Sequence, residues 1–157
     1  MAIRITSNTR PAIFRPTTKD ELQSLIEQEL ERQGWDADLN FIDTSLITDM
    51  SWLFHPLYYV RNIKIDEWDV SNVTNMESMF RYCKNFMEHT AFHYAVNCDL
   101  SGWDVSNVEN MSSMFLGCNK FNSDLSSWDV SNVRVKMEMF WDCPKMESKP
   151  HLQPKFN

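Results

Sequence analysis

The stretch LSGWDVSNVENMSSMFLGCNKF, residues 100–121, carries the pattern that decides the fold. Its core, WDVSNV, recurs at 68–73 and 128–133. The following run recurs with it, as TNMESMFRYC (74–83), ENMSSMFLGC (109–118) and RVKMEMFWDC (134–143). A degenerate copy, IDTSLITDMSWLF, lies upstream at 42–54. The offsets between successive copies are 26, 35 and 25 residues, the longest containing ten extra residues between Phe86 and Leu100. A period in this range marks a chain built of stacked coils, each unable to bury its own apolar face.

Within a coil, Leu100, Trp103 and Val105 set the first apolar positions, with Asp104 between the last two. This alternation predicts a short strand, Trp and Val inward and Asp outward. Ser-Asn then turns the chain, because both side chains bond backbone groups in turns. Val108, Met111, Met114 and Phe115 follow at helical or 3₁₀ spacing. The expected fold class is therefore an α/β repeat solenoid, about four coils sharing a short parallel sheet. The expected organisation is an N-terminal segment with a capping helix (1–38), the coils (39–146, with an insertion at 87–97) and a C-terminal tail (147–157). Thr18 and Glu21 form a capping-box pattern, Gly34 ends the helix, and Leu22, Leu25, Ile26 and Leu30 give it one apolar face.

The composite repeat is similar to that of BspA-type leucine-rich-repeat proteins, a bacterial family with many uncharacterised members, over about residues 39–146. The resemblance implies a right-handed, leucine-rich-repeat-like stack. Better-known members are secreted or surface-anchored, with long arrays that bind host proteins or other cells. This chain has four coils, and its first residues, MAIRITSNTRPAIFRP, hold no signal-peptide core. Cytoplasmic residence is expected, and with it free thiols at Cys83, Cys98, Cys118 and Cys143.

Composition narrows function. Of 157 residues, 22 are acidic and 15 basic, a formal charge of −7, which argues against a broad grip on nucleic acid or an anionic membrane. No nucleophile elbow, phosphate loop or paired-carboxylate motif stands outside the repeat, so no catalytic residue, cofactor or metal is assigned and a non-enzymatic protein is expected. His89, His93 and Cys98 are the one metal-like set, short of a fourth ligand. The repeated Trp residues at 68, 103 and 128 and the Met columns read as core.

The expected function is binding to a protein partner. Asp43, Asp69, Asp104 and Asp129 share one repeat position and form an acidic column, which serves turn hydrogen bonds, a basic partner, or both. Phe92 and Tyr94 in the insertion, Tyr58 and Tyr59 at a coil corner, and Trp141 are the candidate aromatic anchors. The alternative is an inhibitor of phage or mobile-element origin, acting like an anti-CRISPR protein by blocking the basic groove of a host nucleic-acid enzyme. A metal-dependent enzyme and a surface adhesin rank behind these. The sequence names no partner and sets no oligomeric state.

Overall fold

The computed structural model describes residues 14–34, 36–55, 57, 63–83 and 98–156. It corrects the expected fold class. Among the described residues there is no β-strand, and parallel pairing occurs only as isolated bridges, such as Asp49 with Asn75, Asn75 with Asn110 and Asn110 with Val135. Among the described residues the helical elements are α1 (Lys19–Gln33), α2 (Pro144–Glu147) and a single 3₁₀ turn, Pro150–Leu152. The chain is not a sheet-containing α/β solenoid.

The reason lies in how backbone N–H groups alternate. In the second coil the N–H groups of Met79, Arg81 and Cys83 close successive tight turns on the carbonyls of Met76, Ser78 and Phe80. The N–H groups between them, on Met76, Ser78, Phe80 and Tyr82, donate to Asn110, Ser112, Met114 and Leu116 of the next coil at 2.7–2.9 Å. The third coil repeats this, Met111, Ser113, Phe115 and Gly117 donating to Val135, Met137, Met139 and Trp141 at 2.8–3.0 Å. The first does so through Met50, Trp52 and Phe54 to Asn75, Glu77 and Met79. The outer turns of each run have positive φ at their third residue, as type II turns do, at Trp52, Ser78, Ser113 and Glu138, then four residues on at Tyr82, Gly117 and Asp142. A chain that turns back at every second residue cannot be extended, so neither the predicted strand nor the predicted helical turn forms.

The W-D-V segment is likewise bracketed by turns, Trp103 N–H bonding Leu100 O and Val108 N–H bonding Val105 O. Side chains tie the coils together here. Trp68, Trp103 and Trp128 donate their indole N–H to the carbonyls of Leu39, Ile65 and Leu100 of the preceding coil at 2.9–3.1 Å. Asn72, Asn107 and Asn132 donate likewise to Ser45, Ser71 and Ser106 at 2.7–2.8 Å. A buried indole thus finds its partner without losing its apolar packing.

The interior is a set of columns. Phe54, Phe80 and Phe115 are fully buried and stack nearly parallel, with centroids 5.2 and 5.5 Å apart, and Phe140 extends the column at 5.6 Å. Met50, Met76, Met111 and Met79, Met114 fill the neighbouring space, also fully buried. Two elements close the ends. Thr18 caps α1 by accepting from Glu21 N–H, and Leu22, Ile26 and Leu30 bury its apolar face with the first coil's Ile47, Met50 and Leu53. Gly34, at φ 86°, ends the helix by donating to Leu30 O. The tail covers part of the last coil: Met146 and Pro154 are buried, Leu125 N–H bonds Leu152 O at 2.8 Å, and Lys136 sits 4.2 Å over the Phe156 ring.

Candidate interaction surface

Each carboxylate of the Asp column is held by the serine two residues on. The backbone N–H of Ser45, Ser71, Ser106 and Ser131 donates to Asp43, Asp69, Asp104 and Asp129 at 3.0–3.1 Å. Ser71 adds its hydroxyl at 2.6 Å. This is the turn geometry that Asp-x-Ser favours. Bonding from the serines, side chain first and then backbone, lowers the carboxyl pKa of Asp43, Asp104 and Asp129. Asp69, Asp104 and Asp129 remain exposed, so the turn role and an outward negative field coexist. Asp43 is partly covered and pairs with Arg15 at 3.1 Å.

The same device appears where the sequence reading did not look. Asp38, Asp99 and Asp124 accept from the N–H of Asn40, Ser101 and Ser126 at 3.0–3.2 Å. Asp99 and Asp124 are exposed, and serine bonding lowers both pKa values. A second carboxylate column thus runs beside the leucine position, interrupted by Lys64, whose ammonium lies 3.6 Å from Asp38. Its signal was readable: Asp precedes Leu in three of four copies, at the same two-residue spacing to a turn partner.

A second missed feature combines residues from two coils. Arg81 sets its guanidinium 5.4 Å from the Trp52 ring centroid and 5.0 Å from that of Tyr82. Trp52 packs edge-on against His55 at 4.9 Å. Trp52 and Tyr82 are each 37 % exposed, and both sit at positive-φ positions of the turn ladder. Burial, and then the Arg81 charge, push the His55 pKa down. The guanidinium lies within cation–π range of both rings, and its Nε is buried without a partner among the described residues. These residues vary from copy to copy, so periodicity gave them no weight.

Of the anchors expected from sequence, Trp141 is 61 % exposed on the last coil. Tyr58, Tyr59, Phe92 and Tyr94 lie outside the described residues, as do His89 and His93 of the metal-like set. No hydrogen bond or ion pair among the described residues joins the Asp column to the Trp52–Arg81–Tyr82 cluster. The four cysteines are free and buried. Cys118 and Cys143 point their thiols at the carbonyls of Phe80 and Phe115, at 2.9 and 2.7 Å. Burial raises the thiol pKa of Cys98 and Cys118, which makes them poor nucleophiles. No described helix is long and apolar enough to cross a membrane.

No curated protein and no solved structure matches the chain. A family model does, over residues 22–152, a span that takes in most of α1, the coils and the tail as far as the 3₁₀ turn. The chain belongs to the family described as Mycoplasma protein of unknown function, DUF285.

Proposed function

We propose that the protein is a non-enzymatic module that binds another protein, with the stacked coils as scaffold and their outer side chains as the recognition surface. The observation that carries this reading is the Trp52–Arg81–Tyr82 cluster. It is an exposed concentration of the three residue types that dominate binding hot spots, fixed on a rigid ladder. The two carboxylate columns add long-range attraction for a basic partner. The resemblance to BspA-type repeats, whose better-known members bind proteins or cells through such arrays, supports the same reading.

The columns also favour a narrower version, in which the partner is a nucleic-acid enzyme whose basic groove the carboxylates of Asp69, Asp104 and Asp129 occupy. Affinity capture from the source cell with wild-type chain and with Trp52→Ala/Arg81→Ala tests the general reading. One stoichiometric protein retained by the first and lost by the second is the expected result. Retention of the same protein by both, or capture of none, contradicts it. Competition with nucleic acid, and binding that falls steeply with salt in wild type but less in Asp104→Asn/Asp129→Asn, distinguishes the narrower version.

A further inference from the structure

The ladder runs one way. From Met76 to Tyr82 and from Met111 to Gly117, the inter-coil N–H groups point toward the next coil and the carbonyls that receive them point back, whereas just before each run Thr74, Glu109 and Arg134 donate to the preceding coil. The stack therefore ends in two unlike edges. The last coil presents donors: among the described residues, the N–H groups of Lys136, Glu138 and Phe140 have no partner. The first coil presents acceptors: the carbonyls of Asp49, Ser51 and Leu53 likewise receive no bond. Aligned peptide dipoles make the donor edge positive and the acceptor edge negative, as at the two ends of a helix.

The side chains at the donor edge are unusual for a stack end, which ordinarily carries a polar face. Where inner coils place Asp49, Asn75 and Asn110, the last has Val135, 44 % exposed. Where they place Ser51, Glu77 and Ser112, it has Met137, 72 % exposed. Trp141 adds a third apolar side chain beside them. Apolar residues replace polar ones at the last coil, on the part the tail leaves exposed.

We propose that this edge is a docking surface for the acceptor edge of the first coil in a second copy of the chain, and that α1 is the stop that keeps copies apart. Donor and acceptor rows match in spacing, because the same register already joins every inner pair of coils. Two donor edges cannot pair, since N–H would face N–H, and this rules out a symmetric dimer through the ladder. An ordinary strand edge fits poorly, because it offers N–H groups as well as carbonyls. Only a head-to-tail contact satisfies the row, and such a contact repeats from copy to copy, as an open row or a ring. α1 prevents it by lying across the first coil, with Leu22 and Ile26 fully buried and the Lys19 ammonium 3.0 Å from Ser51 Oγ and 3.4 Å from Asp49 Oδ2.

The test uses full-length chain with Leu22→Asp/Ile26→Asp, which expels the helix, and reads mass by sedimentation velocity. Wild type is expected to sediment as one chain at all concentrations. The variant is expected to grow from one chain to several as concentration rises, to shorten when wild type is added, and to return to one chain when Met137→Glu/Trp141→Glu is introduced at the opposite end. The downfield indole N–H signals of Trp68, Trp103 and Trp128 report that the coils stay folded. If they are lost, Leu22→Ala, which loosens the helix without charging the coil beneath it, is read by the same criteria. A folded variant that remains a single chain overturns the proposal. So does association that survives Met137→Glu/Trp141→Glu, because contact through the uncovered core would not need the donor edge.

Discussion

Replacing Phe115 with alanine is expected to lower unfolding free energy by about 3–5 kcal/mol, the range for emptying a fully buried phenylalanine site. Phe115 is the hub of the aromatic column. It stacks on Phe80 at 5.5 Å, on Phe140 at 5.6 Å and on Phe121 at 4.1 Å, and meets Trp128 at 6.5 Å. The coils hold their neighbours rigidly through backbone bonds on either side of the residue, so the cavity cannot collapse. Phe140, half-buried at the end of the column, should lose clearly less on the same change. Urea denaturation followed by tryptophan fluorescence measures both. Equal losses, or a loss under about 1 kcal/mol at Phe115, would remove the column from its place in the core.

The second large effect concerns Ser78, which is 1 % exposed and held at φ 53°. Its buried hydroxyl has no hydrogen-bond partner. Ser78→Val places a β-branched side chain in the left-handed region, at an expected cost of about 1–3 kcal/mol. Ser78→Gly removes both the strained side chain and the unpartnered hydroxyl. These gains offset the roughly 0.5–1 kcal/mol that glycine's freedom in the unfolded chain takes away. The glycine variant should therefore equal or exceed wild type in stability while the valine variant falls well below it. The reverse order would mean that this residue does not occupy the third position of a tight turn.

These two positions show how far the sequence could be read. Phe115, Trp103 and Val105 announce their burial because every good copy repeats them, and repetition at a fixed period is a signal of packing. Ser78 announces nothing. The spacing of Met111 and Met114, three residues apart, serves a 3₁₀ turn and a run of tandem tight turns equally well, since both close i to i+3 hydrogen bonds. Alternating exposure around Trp103 and Val105 serves a strand and a pair of turns equally well. The deciding cue was backbone conformation at positions held by Trp52, Ser78, Ser113 and Glu138. Only Gly117, four residues further on in its coil, hints at it through residue type. The acidic column was legible because its residue type is constant. The Trp52–Arg81–Tyr82 cluster was not, because it joins non-repeated residues of two coils that only the ladder register brings together.

The central claim is that the backbone ladder from Met76 to Tyr82 and from Met111 to Gly117 donates only toward the following coil. Scalar couplings across hydrogen bonds, observed by NMR between an amide nitrogen and the carbonyl carbon it bonds, measure this directly. Couplings are expected from Met76 to Asn110, Ser78 to Ser112 and Phe80 to Met114, and from Met111 to Val135, Ser113 to Met137 and Phe115 to Met139. Couplings in which Met111, Ser113 or Phe115 instead donates back to a carbonyl between Asn75 and Phe80, as paired strands of an ordinary sheet would show, would contradict it.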